Sequence, residues 1–215
     1  MKPAKTLVIG AAVAAALLSS GCRSAPAAEM EQPDGAALFN SYCTPCHGPN
    51  ATGNAGIEAP NLTGLPEWYI EAELHKFRGK VRGYSFDDIT GLKMRPMSMT
   101  LNDDLEVKAV AAYIAVLPVV DQKPTLEGGN ADKGKISFAT CSACHGADAA
   151  GNQKLGAPPL KDNNDWYLLT QIKHFKAGIR GANPQDATGQ TMAPMAKILP
   201  DEQAMKDVIA YIHTL

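Results

Sequence analysis

The 215-residue sequence has few aromatic residues and no cluster of basic ones. Aromatic side chains make up 6% of the chain, so a domain of roughly 100 residues could build only a small core from its own side chains. Lysine and arginine are dispersed and the formal net charge is −2, which argues against a nucleic-acid partner. No segment shows the polar–apolar alternation that is typical of β-strands. These absences indicate a helical protein whose small cores need additional apolar volume.

The N-terminus carries the longest apolar run, Leu7–Leu18, which is shorter than the roughly 20 residues that a transmembrane helix requires. Two lysines precede the run and small residues follow it, which is the pattern of a secretory signal. We therefore expect residues 1–21 to be a signal peptide and residues 22–32 to be a tether.

Two cleavage sites compete in this region. Cleavage before Cys22 resembles the processing of a bacterial lipoprotein, although Ser19 departs from the aliphatic residue that this motif prefers. We favour this site, because Cys22 is otherwise an odd thiol in an oxidising compartment. Cleavage after Ala25–Ala27 would release a soluble protein instead. Both sites predict the periplasmic side of a bacterial membrane, with a lipid anchor in the first case.

The other four cysteines form two C-x-x-C-H motifs. This motif attaches c-type haem, because its two thiols can bond one porphyrin while the histidine ligates the iron. Disulfides would leave both histidines unexplained, and structural zinc needs four ligands where each motif offers three. The residues predicted to hold two haem c groups are Cys43, Cys46, Cys141 and Cys144 as thioethers, with His47 and His145 as iron ligands.

The two motifs belong to an internal repeat with a constant offset of 98 residues (141 − 43). No gap is needed from the first motif to the C-terminus, but upstream Phe39 pairs with Phe138 at an offset of 99. The repeat predicts two domains, at 33–118 and 131–215. A linker with proline and glycine breakers, at 119–130, joins them.

Each repeat has the pattern of a few α-helices. The first repeat predicts helices at Asp34–Tyr42, at Glu67–Phe77, and from Asn102 or Asp103 to Val116. The second repeat predicts helices from Asp132 to Phe138, from Asp165 to Phe175, and from Pro200 and Asp201 to the C-terminus. The fold class that follows is all-α, with two tandem domains that each wrap around one haem.

We expect the sixth iron ligand to be a residue that occurs at equivalent positions, 98 apart, in both repeats. Three histidines lack a histidine at the equivalent position: His75, His174 and His213. We expect them to be exposed on amphipathic helices. The methionines pair as Met94 with Met192 and Met97 with Met195, while Met99 and Met205 have no partner. A thioether favours reduced iron, but methionine also fills cores. Both symmetric methionine pairs therefore remain candidates.

The chain resembles the class I cytochromes c, in which C-x-x-C-H precedes a Pro-x-Leu, a late methionine and a terminal helix that crosses the first. Its duplication is similar to the di-haem cytochrome c4 family, over nearly all of the mature chain. In that family the ligand methionine stands seven residues before the leucine that opens the last helix, as Met94 stands before Leu101. The resemblance therefore implies Met94 and Met192 as ligands.

The same resemblance implies supporting roles for other residues. Pro60 and Pro158 would accept a hydrogen bond from the proximal histidine through their carbonyls, and Leu62 and Leu160 would pack on the haem. The pairs expected to join the first and last helices are Phe39 with Tyr113 and Phe138 with Tyr211. The candidates for contact with haem edges or propionates are Trp68, Tyr69 and Arg82 with their repeat mates Trp166, Tyr167 and Arg180. Core packing is the alternative for the aromatic residues, and a solvated surface position is the alternative for the arginines.

The implied function is electron transfer without catalysis, because two six-coordinate irons leave no position for a substrate. The partners would be redox proteins of a periplasmic respiratory chain. The donor would be a quinol-oxidising complex or a dehydrogenase, and the acceptor a terminal oxidase or reductase. The alternative is the cytochrome subunit of a haem enzyme, such as a peroxidase or a sulfur-compound dehydrogenase.

Overall fold

The structure is a computed structural model that describes residues 1, 3–4 and 32–215, of which Gln32–Leu215 form one structural unit. The predicted signal peptide, the tether and Cys22 lie almost entirely outside the described residues. Within 32–215 the chain is helical and has no β-strand, only two isolated bridges. None of the helices in the described part has the length and hydrophobicity that crossing a bilayer requires. The prediction of an all-α fold is confirmed.

The two halves contain matching helices in the same order. The first half has α1 (Gly35–Leu38), a π-helical turn (Phe39–Cys43), α2 (Thr44–His47), α3 (Glu67–Arg78), α4 (Ile89–Ser98) and α5 (Asp104–Ala115). The second half has α6 (Ala131–His145), α7 (Asp165–Ala177), α8 (Ala187–Lys197) and α9 (Glu202–Ile212). Short 3₁₀ turns follow the haem motifs at Ala55–Ile57 and Gln153–Leu155.

The first and last helices of each half cross and pack together, as the resemblance implied. The rings of Phe39 and Tyr113 are 5.5 Å apart between centroids, and those of Phe138 and Tyr211 are 5.4 Å apart. Tilted aromatic pairs at this distance add favourable contact beyond the area that they bury. Both predicted aromatic pairs are therefore confirmed.

Glycine permits the close approach of the crossing helices. A Cβ atom on Gly35 would lie 2.1 Å from the carbonyl oxygen of Ala109, and one on Gly134 would lie 1.9 Å from that of Asp207. Both distances are far below van der Waals contact, and the atoms met are backbone atoms that cannot turn aside. The crossing geometry thus depends on a missing side chain at these two positions.

We expect Gly134→Ala to destabilise the protein, although alanine is the better helix former. Overpacking of this kind costs about 1–3 kcal/mol, because the Cβ forces α6 away from α9. Urea unfolding of the haem-loaded protein would measure the loss. Lys135→Ala, an exposed change on the same helix, is the control and should alter stability by no more than about 0.5 kcal/mol. Equal stability of Gly134→Ala and the control would contradict the expectation.

The change in the repeat offset, from 99 at Phe39 to 98 from the first haem motif onward, has a structural cause. Four positions separate Phe39 from Cys43, and three separate Phe138 from Cys141. The extra residue of the first half lies in the π-helical turn, whereas α6 is a continuous α-helix. A π-turn absorbs one inserted residue without breaking the helix, so the helix crossing and the haem motif both keep their places.

The helix around each haem motif is longer than predicted. The prediction that Asp132 caps the second of these helices is wrong, because the side chain of Asn130 accepts the hydrogen bond from the backbone N–H of Lys133 at 3.0 Å. This helix runs on to His145 rather than ending at Phe138. The last helices start as predicted, with Asp103 as one of the caps. In each half, the attachment cysteines and the motif histidine therefore lie on the same helical segment as the phenylalanine of the helix crossing, Phe39 or Phe138.

Two helices were not predicted, α4 and α8, and they carry the symmetric methionines. Each contains an internal proline, Pro96 or Pro194, which is a residue that usually interrupts helices. Aspartate caps start them, with Asp88 accepting from Gly91 N at 2.9 Å. The equivalent cap in the second half is Asp186. The caps set where these helices start, and each helix continues through its proline and carries the symmetric methionines.

Candidate functional site

Each half encloses one apolar cavity, of about 180 Å³ in the first half and about 170 Å³ in the second. The residues predicted for the first site that line the first cavity are Cys43, Cys46, His47, Pro60, Leu62, Met94 and Met97. Those that line the second are Cys141, Cys144, His145, Pro158, Leu160, Met192 and Met195. The fold thus brings the predicted site residues of each half around a single cavity.

The two motif histidines are buried and held by a carbonyl. The Nδ1 atom of His47 lies 2.8 Å from the carbonyl oxygen of Pro60, and His145 has the same contact with Pro158 at 2.8 Å. Burial lowers the pKa of both histidines, against the opposing effect of these hydrogen bonds. Each ring is therefore a neutral imidazole that donates from Nδ1, so its Nε2 lone pair is available for a metal.

The first cysteine of each motif, Cys43 or Cys141, is a poor redox thiol in this fold. Burial, with a smaller effect from Cys46, raises the pKa of the Cys43 thiol to about 11. Burial also raises the pKa of Cys141. Thiol–disulfide exchange needs the thiolate, so this environment argues against a dithiol redox motif. Covalent attachment of a cofactor removes the titrating proton altogether.

Burial separates the methionines into three groups. Met94 is half-buried and packs against the core of its half. Met195 is 41% exposed, although it still touches the second cavity. Met205 lies in the core at 4% exposure, whereas Met99 is on the surface. Met97 is half-buried like Met94, so in the first half only the packing of Met94 on the core distinguishes the two. In the second half Met192 is half-buried and Met195 is exposed, which agrees with the ligand that the resemblance implied. The choice of ligand remains a prediction.

The two cavities share one wall between the halves. The residues that line both cavities are Leu65, Tyr69, Glu73, Tyr167 and Gln171. Burial raises the pKa of Tyr69, and the neighbouring Glu73 adds to that effect. Trp68 and Trp166 line neither cavity. Of the predicted aromatic candidates, the tyrosines are therefore the ones that face the sites.

Two arginines lie beside this wall, and the alternative of a solvated surface position is wrong for both. Arg82 is 6% exposed and Arg180 is 5% exposed. Each guanidinium lies 4.4 Å from the ring centroid of a phenylalanine in its own half, Phe77 or Phe175. Each arginine also lines its own half's cavity, and its Nε atom has no hydrogen-bond partner among the described residues. A carboxylate of a bound cofactor would satisfy that donor.

Loop contacts join the halves on a second side, which sequence patterns did not reveal. The backbone N–H of Asn61 donates to Asn164 Oδ1 at 2.7 Å, and its side-chain amide donates to the carbonyl oxygen of Asp162 at 2.8 Å. The linker is tied down as well, because Val120 N donates to Thr63 Oγ1 at 3.0 Å. Asn61 and its two partners are about a hundred positions apart in the chain.

His174 is not the exposed residue that was predicted. Its side chain is 13% exposed, and its Nδ1 atom lies 3.7 Å from Asp88 Oδ1 in the other half. The repeat explains this place, because the equivalent Lys76 lies 2.9 Å from Asp186 Oδ1. The other two histidines outside the motifs are partly buried. The interface therefore has two equivalent contacts with an aspartate carboxylate, one made by a lysine and one by a histidine.

The histidine contact should make stability depend on pH. Burial lowers the pKa of His174, Asp88 opposes this, and Arg180 and Arg82 add to the lowering. His174 is therefore protonated at a higher pH in the unfolded chain than in the folded one. The free energy of unfolding falls as the pH drops below about 6.5. His174→Lys should remove this loss and add on the order of 1 kcal/mol.

Urea unfolding at pH 5 and pH 7.5, followed by circular dichroism, would test this expectation. His75→Lys is the matched control, because His75 is 40% exposed on the equivalent helix. A pH dependence that His174→Lys leaves unchanged would contradict the explanation.

The residues around each cavity fit a covalently bound haem. Two cysteines for the thioethers, a neutral imidazole nitrogen, a thioether sulfur and apolar walls surround the same space. The unpartnered arginine Nε atoms suit the propionates of a porphyrin. A haem would also supply the apolar volume that the small side-chain cores lack.

Comparisons with known proteins agree with this fit. The cytochrome c family model matches residues 33–118 and again 131–215. The thiosulfate dehydrogenase electron acceptor of Stutzerimonas stutzeri (strain A1501) is 30% identical over 198 residues, covering 86% of this chain and 87% of that protein. The cbb3-type cytochrome c oxidase subunit FixPc of Rhizobium leguminosarum bv. viciae is 36% identical over 192 residues, covering 84% of this chain.

This chain spans 60% of the length of that oxidase subunit. Among solved structures, cytochrome c4 of Acidithiobacillus ferrooxidans superposes with a TM-score of 0.67 at 28% identity, covering 82% of this chain and 99% of that one. The relatives are electron-transfer cytochromes. With both haem motifs placed in matching cavities, the chain belongs to the cytochrome c family and is a di-haem c-type electron-transfer protein.

Proposed function

We propose that this cytochrome carries electrons in a periplasmic respiratory chain and is not itself an enzyme. Its donor is a quinol-oxidising complex or a dehydrogenase, and its acceptor is a terminal oxidase or reductase. The axial ligands are His47 with Met94 in the first half and His145 with Met192 in the second. The haem irons supply the one-electron chemistry, and the protein supplies attachment, burial and docking.

The shared wall between the two cavities is the observation that carries this proposal. Five residues line both cavities, so the two redox sites are neighbours within one structural unit. An electron that enters at one half can then leave from the other without passing through solvent. The cavity linings are mainly apolar, whereas a haem enzyme needs polar groups that act on a bound substrate.

A second candidate rests on the name of one relative. The Stutzerimonas stutzeri protein that matches 86% of this chain is a thiosulfate dehydrogenase electron acceptor. By analogy, this chain would take electrons from a dehydrogenase that oxidises a sulfur compound. Its two sites would work in the same way, and only the donor would differ.

Spectroscopy combined with a redox titration tests the assignment as a carrier. The oxidised protein should show methionine-to-iron charge-transfer absorption from both haems, and the titration should resolve two one-electron steps at positive potentials. A high-spin haem at rest that binds peroxide would overturn the proposal and favour a haem enzyme.

Reconstituted reactions identify the donor. Reduction by quinol through a quinol-oxidising complex supports that complex as the donor, and reduction by thiosulfate through a purified thiosulfate dehydrogenase supports a sulfur-compound dehydrogenase. Cyanide-sensitive oxidation of the reduced protein by membrane vesicles supports a terminal oxidase as acceptor. If none of these donors reduces the protein and membrane vesicles do not oxidise it, the respiratory assignment is contradicted.

The location proposed is the periplasmic face of the membrane, with a lipid on Cys22. The short apolar run and the small residues before Cys22 support this proposal. Mass analysis of the mature N-terminus should find a lipid-modified Cys22. An unmodified N-terminus at Ala28 would show that the protein is released in soluble form.

A further inference from the structure

The shared wall breaks the repeat at one buried charged position. Tyr69 and Arg82 keep their identity at the offset of 98, where the equivalent residues are Tyr167 and Arg180 (180 − 82). Position 73 is glutamate, but its equivalent at 171 (73 + 98) is glutamine. Both side chains are buried and line both cavities. A carboxylate therefore has an amide as its counterpart in the middle of the protein.

These four residues form a closed ring of hydrogen bonds. Both arginines donate to Glu73 Oε2, Arg82 through a very short contact and Arg180 at 3.1 Å. Both also donate to Gln171 Oε1, Arg82 at 3.1 Å and Arg180 at 2.7 Å. The ring crosses between the halves twice, because each arginine binds one partner from its own half and one from the other.

The four side chains of the ring carry a net positive charge among themselves, while Lys76 donates to the same carboxylate at 2.8 Å and the arginine Nε atoms are left for haem propionates. Two guanidinium groups face one carboxylate, so the sum is +1. Burial alone would raise the pKa of Glu73, but Arg82, Arg180 and Lys76 outweigh it and hold that pKa well below its usual range. The carboxylate is thus ionised at neutral pH. Glutamate at position 171 would have made the ring neutral.

We propose that the ring of Glu73, Arg82, Gln171 and Arg180, which we call the interface ring, sets the reduction potentials of both haem sites together. The proposal deepens the function proposed above and rests on it. A buried positive charge destabilises the oxidised iron more than the reduced iron, because the oxidised site carries one more positive charge. The ring lies in the wall of both cavities, so its net charge acts on both sites.

Glu73 is a positioning residue in this scheme, since it acts through the field and not by ligation. One charge at about 10 Å in a protein interior contributes an interaction equivalent to roughly a tenfold change in equilibrium. For a one-electron couple, a tenfold change in the ratio of reduced to oxidised protein corresponds to about 59 mV. Shifts of this size are easily resolved in a titration.

Gln171→Glu is the variant that tests the proposal most directly. It makes the ring neutral and keeps every hydrogen-bond acceptor. Both macroscopic reduction potentials should therefore fall, so that the ratio of reduced to oxidised protein at a fixed solution potential drops about tenfold at each site. Glu73→Gln should move both potentials upward by a similar factor. Because Glu73→Gln leaves two buried guanidinium groups without a carboxylate in the ring, it also tests whether the interface needs that charge.

Glu71→Gln is the matched control, because Glu71 lies on the same helix with a side chain that is 35% exposed and lines neither cavity. It should change the potentials by much less than tenfold. All titrations use the full haem-loaded protein, and the charge-transfer absorption of each variant is recorded alongside.

The outcomes distinguish failure of the interface-ring proposal from failure of the proposed carrier function. Joint falls in Gln171→Glu with unchanged absorption support the interface ring. A shift at one site alone, or no shift beyond that of the control, overturns it while the carrier function stands. Loss of methionine ligation in the unmodified protein would overturn the carrier function itself. If Glu73→Gln does not fold, Gln171→Glu still decides the question.

Discussion

Replacing Met94 with alanine is expected to lower the potential of the first haem site by on the order of 0.1 V, within the range of about 0.8 V that axial ligands control. The thioether favours reduced iron, so its loss stabilises the oxidised state. The vacated position should bind carbon monoxide or cyanide, which the unmodified protein should exclude. Redox titration and ligand-binding spectra of the variant measure both effects.

Met97→Ala is the control, because Met97 lines the same cavity on the same helix, three residues further on. We expect it to keep the charge-transfer absorption and to shift the potential little. The second half offers the same comparison with Met192→Ala and Met195→Ala. If the Met97 variant is the one that loses ligation, the spacing argument is wrong and the other methionine pair holds the irons.

Replacing both Cys141 and Cys144 with alanine is expected to reduce the haem content from two to one per chain. Only these two thiols can form the thioethers of the second half. A vacant cavity of about 170 Å³, at about 24 cal/mol per Å³, corresponds to a loss of about 4 kcal/mol of unfolding free energy. Intact mass and haem staining on a denaturing gel give the stoichiometry, and denaturant unfolding gives the stability.

Ser142→Ala, a substitution inside the same motif, should keep both haems and serves as the control. The first half should retain its haem in the double variant, because its attachment residues lie on a separate helical segment. Two haems on the double variant would contradict covalent attachment at these cysteines.

Much of each site could be predicted because its chemistry is local. Cys43, Cys46 and His47 lie within five consecutive residues, so their joint role needs no knowledge of the fold. The repeat then paired Met94 with Met192 and Pro60 with Pro158 across 98 positions. The contacts of the prolines with the motif histidines, both at 2.8 Å, were implied by the family resemblance and not by this local pattern.

The helices that carry the methionines could not be predicted in the same way. Pro96 lies within α4, and proline in a helix interior usually signals an interruption. Asp88 supplies a cap that starts the helix in spite of it. The π-helical turn at Phe39–Cys43 was visible only as a shift of one in the repeat offset, since nothing in its residues distinguishes it from α-helix.

The sequence by itself determined the two haem motifs, the duplication and the helical fold class, because each depends on residue types at short or regular spacings. Only the tertiary structure decided what lies between the haem sites. The sequence left Arg82 and Arg180 either as candidates for haem contact or as surface residues, whereas the structure shows that they bind Gln171 and Glu73 across the interface. Such partners come together only when the two halves dock, and the pattern within one half does not encode the orientation of the other.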